Sequence, residues 1–200
     1  MKKSNKKIDK KEKIIRDYNE TATFYDKRYK ELQGEKYELL LKNFRANGKT
    51  ILDLGCGTGL YFEYMMNSIL DNQNIKTNYI AVDFSRNMLL EFKAKLIISK
   101  SLKKIPNLLL SDIEYLPFRD NTFDSIFSIT SFQNLPKLEK GINESFRVSK
   151  NNADFGFSIL KKKLNLHKLL KILKSKITDL KPIENENVED FVIKGRFIKD

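Results

Sequence analysis

A glycine-rich turn directly after a short apolar run constrains the fold of this chain most. Residues 50–54 read Thr-Ile-Leu-Asp-Leu, and three glycines follow at alternate positions, Gly55, Gly57 and Gly59. Because glycine has no Cβ atom, such a turn can tighten and let a ligand lie against backbone N–H groups at the start of a helix. The segment therefore predicts a strand, a turn and a helix that together form a nucleotide-type binding site.

The spacing of the glycines narrows the choice of ligand. A dinucleotide fingerprint, G-x-G-x-x-G/A, would place its third small residue at position 60, which is Leu60 here. The third glycine comes one residue earlier, and Asp53 stands close to the end of the strand. On this segment alone, a glycine turn in some other α/β protein remains an open alternative.

The amino-acid composition indicates a globular protein of one domain. A chain of 200 residues with 40% hydrophobic and 32% charged residues is typical of one globular domain. No apolar run approaches the length of about 18 residues that a membrane span needs, so we expect a cytoplasmic protein. Cys56 is the only cysteine, which excludes an internal disulfide and a cysteine-based metal cluster. We expect no metal site.

The net charge of +12 is concentrated in two Lys-rich segments, residues 2–16 and 161–181. Nucleic acid or another polyanion is one interpretation of these segments. The alternative is that lysine merely fills solvated positions. Neither segment contains an aromatic residue and arginine is nearly absent, although base stacking and bidentate phosphate contacts favour those residues.

The apolar spacing predicts strands that alternate with helices after residue 50. The predicted strands are 50–54, 78–83, 106–111, 123–129, 154–160, 177–184 and 190–198, and the predicted helices are 59–69, 85–98 (capped by Ser85), 137–149 and 164–176. Alternation predicts a mostly parallel sheet with helices on both faces. The last two strands have no helix between them, which predicts an antiparallel hairpin at one edge.

The residues before the glycine turn predict a helical extension. Residues 1–12 are charged and almost free of apolar side chains, which predicts a disordered basic arm. Apolar residues recur three to four apart over residues 13–47, and Gly34 is expected to divide this stretch into two helices. We therefore expect a single domain over residues 13–200 that includes this extension.

Acidic residues stand at the ends of three successive predicted strands: Asp53, Asp83 and Asp112. Ligands of open α/β sheets bind beyond the carboxyl ends of the strands. A carboxylate at Asp83 can accept hydrogen bonds from both hydroxyls of a ribose, and Asp112 can accept from an adenine amino group. Alternatively, Asp83 could be an acidic residue that only stabilises the N-terminus of the next helix through the helix dipole, and Asp112 could be an ordinary turn residue.

Several segments resemble class I S-adenosylmethionine (SAM) dependent methyltransferases of the type 11 group. The match begins with the D-x-G-x-G-x-G pattern at residues 53–59 and continues with V-D-F-S-R-N-M-L at 82–89 and D-I-E-Y-L-P-F-R-D-N-T-F-D at 112–124. Residues 132–136 and 144–148 are similar to segments of the ubiquinone and menaquinone C-methyltransferases. Tyr18 and Tyr25 resemble an upstream segment of the same group.

This resemblance implies a Rossmann-like class I methyltransferase fold with a seven-stranded sheet and SAM as the cofactor. The implied cofactor contacts are Gly55, Gly57, Gly59 and Ser128 along the amino-acid part, Asp53 near its amino group, Asp83 at the ribose, Phe84 against the adenine face, Asp112 and Ile113 at the adenine edge, and Tyr25 closing over the cofactor. A core aromatic of the helical extension is an equally good interpretation of Tyr25.

The chain departs from the resemblance before the fifth strand. Relatives often have R-V-L-K-P-G-G there, whereas residues 147–153 read R-V-S-K-N-N-A, which predicts a positive φ at Asn151 or Asn152. Three functions stay open. They are methyl transfer to a small molecule such as an aromatic or quinone-like acceptor, methyl transfer to RNA or an RNA-associated protein, and SAM binding by a regulatory protein without catalysis. The sequence nominates no general base.

Overall fold

The computed structural model describes residues 10–46, 49–69, 76–99, 105–163, 165–183 and 188–199. The strands are β1 (Thr50–Leu54), β2 (Asn78–Asp83), β3 (Asn107–Leu110), β4 (Phe123–Ile129), β5 (Ser149–Leu160), β6 (Ile177–Ile183) and β7 (Asp190–Phe197). The α-helices are α1 (Lys10–Leu41), α2 (Leu60–Ile69), α3 (Arg86–Ile98), α4 (Leu138–Val148) and α5 (Leu166–Lys174). Short 3₁₀ turns cover Phe132–Asn134 and Lys161–Lys163.

All seven strands form one sheet in the order β3-β2-β1-β4-β5-β7-β6. Strands β1 to β5 pair in parallel, whereas β7 runs antiparallel to both β5 and β6. This confirms the predicted mostly parallel seven-stranded sheet with an antiparallel hairpin at one edge. Because β1 to β5 all run in the same direction, their carboxyl ends lie at one edge of the sheet, and the segments that follow β1, β2, β3 and β4 lie together there.

Helices cover both faces of the sheet because the parallel strands are apolar on both sides. Ile51 of β1 packs into a cluster with α1, α2 and α3, including Phe62 and Phe92. The next residue, Leu52, packs on the other face, where Ile142 of α4 and Leu173 of α5 belong to the same cluster. Each face of the sheet thus has its own large cluster of buried residues, and a third, small cluster joins Leu40 of α1 to Val192 of β7.

The N-terminal helical region differs from the prediction. α1 is one helix of 32 residues that runs through Gly34, so the expected break there is wrong. Glycine inside a helix costs about 1 kcal/mol relative to alanine, and burial of the apolar side chains of Tyr37, Leu40 and Leu41 in the following turns offsets that cost. α1 also begins at Lys10, so residues 10–12 of the predicted arm are helical, and residues 1–9 of that arm and of the first Lys-rich segment lie outside the described residues.

Two local predictions are confirmed. The Ser85 side chain caps α3 by accepting a hydrogen bond from the Met88 amide at 3.2 Å. Asn152 has a φ of 68°, as the altered turn before the central part of β5 requires. Among the described residues, no helix is both long and apolar enough to cross a membrane.

Candidate functional site

The glycine turn has one open side and one closed side. Gly55, Gly57 and Gly59 all have positive φ values, 76°, 55° and 83°. A Cβ atom on Gly59 would lie 2.4 Å from the Phe92 ring, so this glycine lets the turn pack on α3. A Cβ atom on Gly57 would meet nothing within 4 Å. The turn therefore leaves a cradle at Gly57 that a ligand can fill.

Asp83 lies at the end of β2 and faces this cradle. Its carboxylate accepts hydrogen bonds from the Gly57 and Ser85 amides, each at 2.8 Å. Burial raises the pKa of Asp83 to about 6, against the opposing effect of these backbone hydrogen bonds. Since a carboxylate has about four lone-pair positions, both oxygens can still accept hydrogen bonds from a ligand.

Asp53 lies one strand away and deeper than Asp83. It is 1% exposed, and its Oδ2 accepts a hydrogen bond from the Tyr79 hydroxyl at 2.8 Å. Burial raises the pKa of Asp53 to about 7; the Tyr79 hydrogen bond opposes this increase and the charge of Asp83 adds to it. Asp53 lines a small cavity behind the turn, together with Gln33 of α1.

The main cavity lies at the carboxyl edge of the sheet and contains about 620 Å³ of empty space, including its open mouth. Its lining includes seven of the ten residues that the sequence nominated: Tyr25, Gly55, Gly57, Asp83, Phe84, Asp112 and Ile113. Asp53 lines only the adjoining small cavity, while Gly59 packs on Phe92. Ser128 is fully buried inside the sheet, and its hydroxyl donates to the Leu54 carbonyl at 3.0 Å.

Asp112 lies at the far side of the main cavity, after β3. Its Oδ1 accepts a hydrogen bond from the Glu114 amide at 2.9 Å, and its Oδ2 forms an ion pair with Lys11 of α1. The adenine-edge role of Asp112 stays a prediction. A ligand amino group there would share the carboxylate with Lys11.

Helix α1 covers the cavity and is held there by polar side chains. Asn19 accepts hydrogen bonds from the Ser85 hydroxyl at 2.7 Å and the Asn87 amide at 3.2 Å. Lys95 of α3 donates to Asp26 at 2.7 Å. These contacts place the first half of α1 directly over the ends of β1 and β2.

Sequence reasoning missed several lining residues. Tyr18 and Asn134 lay in segments that carried the resemblance, and they meet across the cavity, where the Asn134 amide donates to the Tyr18 hydroxyl at 2.8 Å. Lys11 lay in the predicted disordered arm, so no local pattern pointed to it. Ser131 follows β4 and donates to the Gly55 carbonyl at 3.1 Å, a contact that only the sheet topology creates.

A second, wider groove adjoins the main cavity between α1 and the ends of β4 and β5. Tyr18, Tyr25, Thr130 and Asn134 line both the cavity and the groove. A ligand in the cavity and a molecule in the groove would therefore meet at these four side chains. The arrangement can bring two reactants together at one point.

Comparison with curated proteins finds relatives of similar sequence. The chain is 32% identical over 154 residues to a malonyl-[acyl-carrier protein] O-methyltransferase of Buchnera aphidicola, covering 76% of this chain and 56% of the relative. It is 28% identical over 155 residues to a demethylmenaquinone methyltransferase of Symbiobacterium thermophilum, covering 74% and 59%. The chain thus spans a little more than half the length of these relatives.

Comparison with solved structures gives the same fold. The magnesium protoporphyrin IX methyltransferase of Synechocystis, solved with bound SAM, superposes with a TM-score of 0.71 at 15% identity, over 97% of this chain and all of that one. Residues 52–157 match the family described as "Methyltransferase domain", which is more than half of the chain. The chain therefore belongs to the methyltransferase domain family, the SAM-dependent group that its glycine turn and strand-end acids resemble.

Proposed function

We propose that this protein binds SAM in the main cavity and transfers its methyl group to a small molecule. One observation carries the proposal. The ends of three adjacent strands bring the open cradle at Gly57, the Asp83 carboxylate and Asp112 onto one cavity that α1 covers. This set matches the parts of SAM in order, from its amino acid through its ribose to its adenine.

Bound SAM supplies a methyl group on a sulfonium, which is already a good electrophile. In-line displacement then needs alignment of the reactants and exclusion of water more than acid–base chemistry. Asp83 would hold the ribose hydroxyls on its free lone pairs, while Phe84 and Tyr18 would flank the adenine. Burial raises the pKa of Tyr25 well above its ordinary value, so this phenol stays neutral beside the cation.

Asp53, Gly59 and Ser128 do not line the main cavity, so each would act on the cofactor less directly than the other nominated residues. Asp53 can reach the amino group of SAM only through the small cavity behind the turn. Gly59 supports the turn by packing on Phe92. Ser128 would act through the Leu54 carbonyl that it binds. Each assignment stays a prediction.

The acceptor is inferred to be a small molecule, as the name of the demethylmenaquinone methyltransferase relative suggests. A polyanion such as RNA would use the Lys-rich segment 161–181, where Lys171 and Lys174 of α5 are exposed. No contact in the described residues ties those lysines to the cavity. RNA methylation, regulatory binding without catalysis and a cytoplasmic location stay predictions.

Ligand-induced thermal stabilisation tests cofactor binding. At about 100 times its dissociation constant, S-adenosylhomocysteine should stabilise the native state by about 2.7 kcal/mol, which raises the melting temperature by about 5–10 °C. Asp83→Ala should lose most of this increase. Asp124→Ala is the matched control. Asp124 lies near the start of β4, away from the carboxyl edge that carries the cavity, and its carboxylate accepts a hydrogen bond from the Thr50 amide. An equal increase in both variants would refute the ribose assignment.

Incubation with methyl-labelled SAM and fractionated cell extract tests catalysis. We expect label in the small-molecule fraction. Label in RNA or protein would contradict the proposed acceptor class, and cofactor binding without label in any fraction would support the regulatory alternative.

A further inference from the structure

A separate concave surface, which we name the basic cleft, lies beside the end of α1. Six cationic side chains line it: Lys42, Arg45, Lys49, Lys181, Lys194 and Arg196. Two carboxylates, Asp154 and Asp179, oppose them, which leaves a net charge of +4. The cleft contains about 1530 Å³ of empty space, including its open mouth, and shares no lining residue with the main cavity or the groove. Of its cations, only Lys181 belongs to the Lys-rich segments.

The pairing of β6 with β7 places two of these positive charges side by side. Lys181 and Lys194 are direct cross-strand partners in this antiparallel pair, so their side chains leave the same face of the sheet. The Cβ atoms of such partners lie about 4.5–5.5 Å apart, and like charges at these positions repel each other. No acidic side chain among the described residues forms an ion pair with Lys181. The sheet therefore carries a repulsion that a bound anion would relieve.

The end of α1 holds Lys194 in place. The Lys194 ammonium donates to the Lys42 carbonyl at 2.7 Å and to the Leu39 carbonyl at 3.3 Å, where helix carbonyls lack donors from within the helix. An ammonium has three N–H donors, so one remains for a ligand. Burial lowers the pKa of Lys194, and the nearby charges of Lys181 and Lys42 add to this effect. Asp154 opposes this decrease but does not cancel it.

The segment around the end of α1 adds two further cations, Lys42 and Arg45. Both are exposed, and neither forms an ion pair with a carboxylate of the described residues. Asp154 is already engaged, because Lys49 forms an ion pair with one of its oxygens and Arg196 Nε lies 3.7 Å from the other. The positive charge that lacks a counter-charge thus comes from both the helix end and the sheet.

Phosphate groups suit this set of donors. A phosphate monoester carries a charge of about −1.5 to −2 at pH 7, so two phosphates would balance the net charge of the cleft. Arg45 offers a planar fork of N–H groups that matches the oxygens of a phosphate. The cleft is also concave and partly apolar, with Phe44 and Phe127 in edge-to-face contact on its lining. Sites for small molecules commonly combine such a shape and lining with a few polar groups.

We infer that the basic cleft binds a small molecule that carries two linked phosphates, held by Lys181, Lys194 and Arg45. The site is separate from the proposed methyl transfer, because the cleft and the main cavity have no lining residue in common. Its occupant is therefore a second ligand, neither the cofactor nor the methyl acceptor.

Calorimetric titration with inorganic pyrophosphate tests this inference at a salt concentration of about 0.15 M. The wild-type protein should bind pyrophosphate at one site. Lys181→Gln and Arg45→Gln should each weaken binding roughly tenfold or more, which is the value of one charge-assisted hydrogen bond. Lys171→Gln is the matched control: it removes the same charge from α5, where Lys171 is exposed on the other face of the sheet, and its affinity should stay within about twofold of the wild type.

Thermal unfolding separates a binding role of Lys181 from a structural one. Without pyrophosphate, Lys181→Gln should melt no lower than the wild type, because the substitution removes the repulsion of Lys194. With pyrophosphate, the melting temperatures of the wild type and Lys171→Gln should rise, and that of Lys181→Gln should rise much less. A structural role would instead lower the melting temperature of Lys181→Gln before any ligand is added.

Equal weakening by Lys181→Gln and Lys171→Gln would overturn the inference, because it would show only a general attraction of anions to a basic protein. Absence of pyrophosphate binding at this salt concentration would overturn it too. If a single-stranded RNA oligonucleotide bound more tightly than pyrophosphate and lost its affinity in Lys181→Gln, the occupant would be a nucleic acid and the small molecule would be wrong. S-adenosylhomocysteine should stabilise Lys181→Gln as much as the wild type, and a smaller effect would contradict the separation of the two sites.

Discussion

Replacement of Asp53 by asparagine should separate the stability of this protein from its function. Asp53 is buried beneath the glycine turn, where the Tyr79 hydroxyl donates to it. An asparagine oxygen can accept the same hydrogen bond, so Asp53→Asn removes the ionisable group with little change in shape. The variant should be more stable than the wild type at alkaline pH and should bind S-adenosylhomocysteine less well.

The size of the stability change follows from the pKa of Asp53, which burial raises from 3.8 to about 7. The folded protein therefore holds this proton more tightly than the unfolded chain. Its contribution to stability is complete below pH 3.8 and is lost as the pH rises through about 7. A shift of roughly 3 pKa units corresponds to roughly 4 kcal/mol. Relative to the wild type, the free energy of unfolding of Asp53→Asn should be higher by about 4 kcal/mol at pH 8 and by about 2 kcal/mol or less at pH 5.

Urea unfolding of both proteins at pH 5 and pH 8 measures this difference. Asp124→Asn is a control of opposite sign: burial raises the pKa of Asp124, but hydrogen bonds from Lys150 and the Thr50 amide outweigh it and lower the pKa overall. That variant should lose stability at pH 8. If Asp53→Asn is no more stable than the wild type at pH 8, or gains equally at both pH values, the burial argument is wrong.

Three further predictions concern the cofactor site and its cover. Affinity for S-adenosylhomocysteine should fall as the pH drops through about 6, because protonation of Asp83 removes hydrogen-bond acceptors for the ribose; calorimetric titration from pH 5 to 8 measures this. Gly57→Ala should abolish the affinity for S-adenosylhomocysteine while the protein stays folded. Gly59→Ala should lower the melting temperature more than Gly57→Ala does, because its Cβ would collide with Phe92. Scanning calorimetry compares the melting temperatures of the two variants. Gly34→Ala should stabilise α1 by about 1 kcal/mol in urea unfolding, because its Cβ meets nothing within 4 Å; a loss of stability would contradict a helical Gly34.

Local patterns were sufficient to predict the central fold. The apolar run at 78–83 became β2 over the same residues, and Ser85 caps the next helix as expected. Strand and helix periods, cap residues and glycine turns act over a few residues, so the sequence displays them directly. The break at Gly34 was wrong because burial on either side of a glycine depends on tertiary contacts that a helix pattern does not contain.

The residues that line the main cavity were predictable to a similar degree. Asp83 and Asp112 each stand at the end of a strand, and parallel strands bring their ends to one edge. Lys11 could not be identified, because its ion pair with Asp112 joins the start of α1 to the end of β3. The ion pair of Lys36 and Asp190 could not be identified either, because the antiparallel pairing of β7 with β5 decides which residues approach α1.

The continuity of α1 connects these two parts of the site. A helix of 32 residues is about 48 Å long, which lets one rigid element carry Tyr18 and Tyr25 over the main cavity and Lys36 beside β7. Two helices joined at Gly34 would let the aromatic cover move independently of the Lys36–Asp190 pair. Because the helix is continuous, a cofactor bound under Tyr25 and a molecule bound in the groove would contact the same element. Binding of either should therefore favour the helix position that the other requires.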